Sequence, residues 1–274
     1  MENMATSSKL GPNIFITGAN RGIGLGLVKE FAKQSDVQNI FAGCRDPNKA
    51  KELSDLQAAH PSIKIIQIDV QNDSTIKSAV TEVERILGPN SGLNVLINNA
   101  AIFGKQSGQK LSDPDRKTWL EHFDVNTVGP AIVTAAFLPL LRKASSAESA
   151  SKVVNISSEL ASTRLLPSFG QVLYGLPEDV RGTKAIGYGN IVYGMSKAAL
   201  NHYTRALACD EPSLIAISAC PGWVRTDMGE EKADLSVEES TSAIVKLIAG
   251  LKHEQSGGYF SPGRKAIEFT PIDF

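Results

Sequence analysis

A tyrosine and a lysine stand four residues apart in Tyr193-Gly-Met-Ser-Lys197, within a stretch from Val192 to Cys209 whose pattern predicts a helix. That spacing puts both side chains on one helix face. A phenol has an ordinary pKa near 10 and gives up its proton reluctantly at neutral pH, and a neighbouring ammonium favours the phenolate. Such a pair can protonate an oxygen that turns negative during a reaction, or take a proton from a hydroxyl. Tyr174 and Tyr188 have no lysine four residues on and are poor candidates for this work. A second chemical feature is the Gly-rich run from Thr17 to Gly24, which lies between an apolar segment and an amphipathic one. A strand-turn-helix of this kind offers backbone N–H groups and the positive end of a helix to a pyrophosphate. Its glycines suit places where the backbone meets a phosphate or packs closely on a sheet.

These groups must be positioned by elements that alternate regularly along the chain. Short apolar runs at 14–17, 39–44, 63–70, 93–97, 153–157 and 214–219 read as strands, and Gly258-Tyr259-Phe260 closes the series. Between them lie helices predicted over 22–33, 48–59, 73–87, 114–143, 192–209 and 237–251. Asp73 is the expected cap of the third helix, and Pro114 the expected first-turn residue of the fourth. Repeated βα units with near-continuous apolar strands imply a parallel sheet covered by helices on both faces. Residues 104–113 are expected to be a loop, and 163–190, rich in Gly and Pro, an inserted lid or surface elaboration.

Further segments follow in order over nearly the whole chain. Asp69-Val70 ends the third strand, Asn98-Asn99-Ala100 the fourth, and Asn126 lies in the long helix. Asn155-Ile156-Ser157-Ser158 ends the fifth strand, and Pro221-Gly-Trp-Val-Arg-Thr226 follows the sixth. With Gly18-x-x-x-Gly22-x-Gly24 and the Tyr193/Lys197 pair, the set resembles the short-chain dehydrogenase/reductase family. Within it, the segments around Tyr193 and Pro221 are most similar to sniffer/carbonyl-reductase-like and C-factor-like members. The resemblance implies an α/β fold: one Rossmann-type doubly wound parallel sheet of about seven strands spanning residues 1–274. It also implies hydride transfer between a nicotinamide dinucleotide and a carbonyl/alcohol pair. Catalytic roles fall to Asn126 (holding a relay water), Ser158 (on the substrate oxygen), Tyr193 (acid) and Lys197. Ser157 is the rival serine, on the opposite face if the strand persists. Contacts to the dinucleotide are implied for Gly18, Asn20, Arg21, Gly22, Ile23, Gly24, Arg45, Asp69, Val70, Asn99, Ala100, Tyr193, Lys197, Pro221, Gly222, Val224 and Thr226. Ala101 stands where the family has a glycine, and the 163–190 insertion departs from its usual serine–tyrosine spacing. If that insertion covers the helix surface used for oligomerisation, it favours a monomer over a dimer or tetramer.

NAD-specific members carry an acid at the end of the second strand, where this chain has Cys44 followed by Arg45. Arg45 and Arg21 suit a 2′-phosphate, and one charge-assisted hydrogen bond of about 1.5 kcal/mol gives a tenfold preference. NADP(H) is therefore the expected cofactor, and a small carbonyl or alcohol the expected substrate. A net charge of -1 recommends no nucleic-acid or membrane partner. Three scattered cysteines point to a reducing compartment, and no apolar stretch reads as a signal or a membrane span. A cytoplasmic protein is expected. The four histidines are isolated in sequence, and no metal is expected.

Overall fold

The computed structural model describes residues 10–104, 109–110, 113–146, 148–165, 191–262 and 269–272. β1 (Asn13–Ile16) leads through the Gly-rich turn to α1 (Gly22–Ala32), then β2 (Asn39–Cys44), α2 (Lys51–Ala59) and β3 (Ile63–Gln67). α3 (Asp73–Leu87) and β4 (Val95–Asn98) complete the first half. A short antiparallel pair, β5 (Gln109–Lys110) and β6 (Asp113–Pro114), precedes α4 (Arg116–Phe123) and α5 (Gly129–Ala144). The second half adds β7 (Lys152–Ile156), α6 (Ile191–Asp210), β8 (Ile215–Ala219), α7 (Val237–Gly250), β9 (Tyr259–Ser261) and β10 (Thr270–Pro271).

The main sheet has eight strands in the order β10-β9-β8-β7-β4-β1-β2-β3. All neighbours are parallel except β10, which pairs antiparallel with β9. β10 is the strand beyond the seven expected. Side chains alternate across the sheet. Ile14 and Ile16 of β1 point into a cluster with Leu27, Phe31 and Ile244, under α1 and α7. Phe15, between them, joins Phe137, Val133 and Leu207 under α5 and α6. The sheet therefore has a core on each face, as its apolar strands required.

Three local expectations are corrected. Asn72, not Asp73, caps α3, its side chain accepting from the N–H groups of Ser74 and Thr75. Asp115 caps α4, and Pro114 lies in the preceding β6 rather than in a first helical turn. Asn72 and Asp115 stand on extended backbone, where a side-chain oxygen reaches back to the first free N–H groups. The single helix expected over 114–143 is interrupted by a π-turn at Asp124–Val128 between α4 and α5. Residues 166–190, most of the expected insertion, lie outside the described residues, and so does any shielding of an oligomer surface by them.

Arg116–Ala144 is also, by length and composition alone, a rod long and apolar enough to cross a membrane, against the reading from sequence. Half of its most apolar stretch is buried, with Val133, Phe137, Leu140 and Leu141 packed on the sheet, which is how a core helix passes the same test. Phe137 carries much of that packing, fully buried with its ring 4.5 Å from that of Phe15. Phe137→Ala should lower unfolding free energy by about 3–5 kcal/mol, read as a lower urea midpoint at unchanged slope.

Candidate active site

The Gly-rich turn leaves β1 at the carboxyl edge of the sheet. Gly18 takes φ +66°, and a Cβ there would stand 2.9 Å from the Ala100 Cα. A Cβ on Gly24 would overlap the Gly18 carbonyl oxygen and lie 2.6 Å from Asn99 Nδ2. The glycines therefore allow the turn to fold onto the end of β4. Asn99 locks it there, Nδ2 donating to the carbonyls of Thr17 at 2.9 Å and Gly18 at 3.1 Å. The N–H groups of Asn99 and Ala100 both donate to Thr17 Oγ1 at 3.0 Å. Asn20 is half-buried, while Ile23 packs against the core under α1. Arg21 is exposed and pairs with Asp227 Oδ2 at 2.9 Å. This pair, with Thr226 beside Gly22, brings the turn against the segment following β8.

Along the same edge, Arg45 is exposed just past β2. Cys44 before it is buried, and burial together with nearby Asp46 pushes its thiol pKa up. The Asp46 carboxylate turns away to accept from Asn48 N–H and to pair with Lys49. Asp69 follows β3 and accepts from Gln71 N–H, and Val70 packs against Gly129. Beyond β8, Pro221 is buried and its carbonyl accepts from Ser240 Oγ. Val224 is bridged to Leu235, which holds the segment through Thr226 close to the sheet.

α6 crosses behind this edge and carries Tyr193 and Lys197. Both are buried. Lys197 Nζ donates to the Ile156 carbonyl at 2.7 Å and lies 5.9 Å from the centre of the Tyr193 ring. Burial pulls the Lys197 ammonium down to about 7, opposed by the neighbouring Cys220. Burial and Cys220 push the Tyr193 phenol well above its ordinary value, and its hydrogen bond with Ser158 opposes them. The side chains therefore form a neutral phenol with a serine hydroxyl on it and an amine beneath it. That arrangement can donate a proton.

The two serines part company as the strand ends at Ile156. Ser157 Oγ donates to Asn201 Oδ1 at 2.6 Å, buried under α6. Ser158 instead meets Tyr193. Asn126 is fully buried in the π-turn, a geometry frequent at functional sites. Its amide accepts from Ile102 N–H and donates to the Ile102 carbonyl and to Ser196 Oγ. The side chain is thus committed to anchoring the segment after β4 and to α6, without contacting Lys197 in the structure's hydrogen bonds.

Sequence reasoning missed several neighbours. Phe103 packs edge-on against Tyr193 with ring centres 4.8 Å apart, and its place just after Asn98-Asn99-Ala100 was the available signal. His122, isolated in sequence, is buried with Nδ1 2.7 Å from the Thr118 carbonyl and Nε2 3.0 Å from that of Phe103. Tyr259 reaches the Ser158 carbonyl from β9, 101 residues away, with no local sequence signal. Among the described residues, no group of three His, Cys, Asp or Glu side chains is placed to hold a metal.

The family model for short chain dehydrogenases matches residues 12–175. The chain belongs to that family. An uncharacterized oxidoreductase of Schizosaccharomyces pombe is 31% identical over 97% of this chain and 100% of its own length. Among solved structures, the carbonyl reductase Sniffer of D. melanogaster shares 34% identity with a TM-score of 0.81, covering 96% of this chain and all of its own. An NADPH-bound carbonyl reductase from chicken fatty liver shares 32% with a TM-score of 0.80, covering 94% and 99%. The chain is therefore a short-chain oxidoreductase with a Rossmann-type fold, of a family that uses nicotinamide cofactors.

The buried amine of this oxidoreductase makes stability depend on pH. An unfolded lysine keeps its proton to about 10.5, whereas folded Lys197 loses it near 7. Between these values the unfolded chain binds more protons, so stability from this group rises with pH and is lost as pH falls from about 10.5 to about 7. Above about pH 9 Cys220, pushed up to about 11 mainly by burial, acts in the opposite sense. Urea midpoints should therefore rise from pH 7 to 9, and Lys197→Met should flatten that rise.

Proposed function

We propose that the chain reduces aldehydes or ketones to alcohols with NADPH, Tyr193 serving as the general acid. The observation that carries this reading is the Tyr193 phenol, kept neutral by burial, hydrogen-bonded to Ser158 and set over Lys197 beside the Gly-rich turn. The turn fits a dinucleotide, because it leads into the start of α1, where Arg21 makes no capping hydrogen bond to the first N–H groups. When bound, NADPH supplies the hydride. Everything else falls to this chain's residues.

Ser158 would hold the substrate oxygen by a hydrogen bond, and Tyr193 would deliver a proton to that oxygen as charge develops on it. Lys197 would hold the nicotinamide ribose, and a charge on its amine would favour the departing phenolate. Asn126 would support this machinery structurally, by fixing Ile102 and Ser196. The 2′-phosphate preference rests on Arg45, exposed where a carboxylate would otherwise repel it. Arg21 is the second cation, and its exposed pairing with Asp227 is of a kind worth little, so it exchanges readily. With three free cysteines and no disulfide among the described residues, the cytoplasm is the proposed compartment, with a small carbonyl compound as partner. Oxidation of the corresponding alcohols is the same chemistry run backwards.

NADPH absorbance followed over a panel of aldehydes, quinones, diketones and cyclic ketones tests the reading. Tyr193→Phe should lower turnover at least 100-fold, by about the contribution of a general acid, with NADPH still bound. Wild-type silence across the panel with NADPH bound would count against it. Arg45→Ala should raise the NADPH KM about tenfold and leave that for NADH unchanged.

A further inference from the structure

The serine that meets Tyr193 belongs to a peptide group gripped at both ends. The Ser158 carbonyl accepts from the Tyr259 hydroxyl, and the Glu159 N–H of the same peptide donates to Cys220 Sγ at 3.3 Å. Around it, Ser157 N–H donates to the Ala219 carbonyl at 2.8 Å, Ser157 Oγ is held by Asn201, and the Glu159 carboxylate accepts from Ser261 Oγ. β9 thus supplies two side chains, Tyr259 and Ser261, to a turn that begins 101 residues earlier.

Phe260, next to Tyr259, joins the apolar core, so the strand has no need of a hydroxyl for packing. A phenolic O–H is costly to bury unless it finds an acceptor, and Tyr259, 1% exposed, spends its own on the Ser158 carbonyl. Ser158 lies in extended backbone, at φ -157° and ψ 144°. The plane of the peptide after it sets its ψ, and with it the start of the turn whose Leu160 N–H donates to the Ser158 hydroxyl at 3.3 Å. Sulfur is a weak acceptor. Without the tyrosine hydroxyl, the plane would be held by that weak contact and by the Ala161 N–H, which donates to the Ser158 carbonyl at 2.8 Å.

We propose that Tyr259 is a positioning residue for Ser158: its hydroxyl fixes the Ser158–Glu159 peptide and so aims the Ser158 hydroxyl at Tyr193 and the substrate oxygen. The assignment rests on the reading of Ser158 and Tyr193 as carbonyl-reducing groups. Burial pushes the Tyr259 phenol far above its ordinary value, so it remains a donor at every working pH. The role is distinct from that of Tyr193, since the Tyr259 hydroxyl donates to the main chain beneath the serine and meets the Asn201 side chain that holds Ser157.

Tyr259→Phe keeps the ring and removes only the oxygen. Steady-state reduction by wild type, Tyr259→Phe, Ser158→Ala and the double variant is the test, with NADPH dissociation constants from fluorescence. The expected result is a kcat about tenfold lower for Tyr259→Phe, the worth of one hydrogen bond, with NADPH affinity changed less than about twofold. In the Ser158→Ala background the same substitution should change kcat by less than about twofold, because the group it aims is gone. A full tenfold loss in that background would show that Tyr259 acts elsewhere and overturn the proposal, as would an unaltered kcat in the single variant. Wild-type protein that binds NADPH yet reduces no carbonyl would overturn the carbonyl-reducing reading itself, and this assignment with it.

Discussion

A lysine ammonium cannot be buried without a hydrogen-bond acceptor, and here that acceptor is the Ile156 carbonyl at the end of β7. The single contact constrains much of the surrounding structure. It requires α6 to lie close enough to the sheet for a lysine side chain to span the gap. A Cβ at Gly194 would stand only 2.8 Å from the Leu160 carbonyl, so the helix approaches the turn after β7 at a distance only glycine allows. On its other side Asn126 and Thr127 of the π-turn bond the hydroxyl and carbonyl of Ser196. Burial then draws the lysine pKa down to about 7 and lifts the tyrosine's. The chemistry of the site thus follows from the depth at which one helix is set.

That depth is held by a polar chain through the core. Asn98, Asn155 and Ser218 occupy matched positions on β4, β7 and β8. Asn98 Nδ2 donates to Asn155 Oδ1, Asn155 Nδ2 to Thr204 Oγ1 of α6, and Ser218 Oγ to the same threonine oxygen. Apolar contacts alone would let a helix slide along a sheet, because they are non-directional. Directional bonds in a buried place are costly to break and fix one register. Tyr193 and Lys197, two turns and more before Thr204 on the same helix, are placed by that register. The Gly-rich turn is fixed by a comparable device, the Asn99 amide bonded to two successive carbonyls.

Much of this was legible in the residues. The βα alternation, the parallel sheet and the extent of most elements followed from apolar periodicity, because a doubly covered sheet demands continuous apolar strands. The Tyr193/Lys197 pair was readable for a similar reason: four residues on a helix is itself a spatial statement. The cap expected at Asp73 fell to Asn72 in a competition between neighbouring polar residues that backbone geometry decides, and the helix expected to open at Pro114 begins after its cap, Asp115. The π-turn was illegible because one added residue in a helical turn leaves no mark on composition. The eighth strand, only two residues long, carries no periodicity to read.

By itself, then, the sequence determined the layered α/β fold, the family, and which tyrosine and lysine stand together on one helix face, since each is written in local spacing or in ordered short motifs. Only the tertiary structure decided which serine faces the phenol, and which groups the asparagine of the long helix bonds. It alone revealed that His122 holds the Phe103 segment and that Tyr259 lies beneath Ser158. The reason is physical. Ser157 and Ser158 are adjacent and chemically identical, and what separates them is a strand ending at Ile156 that sends one hydroxyl to Asn201 and the other to Tyr193. Such contacts join residues tens of positions apart, and no local pattern of side chains records where the chain will bring them together.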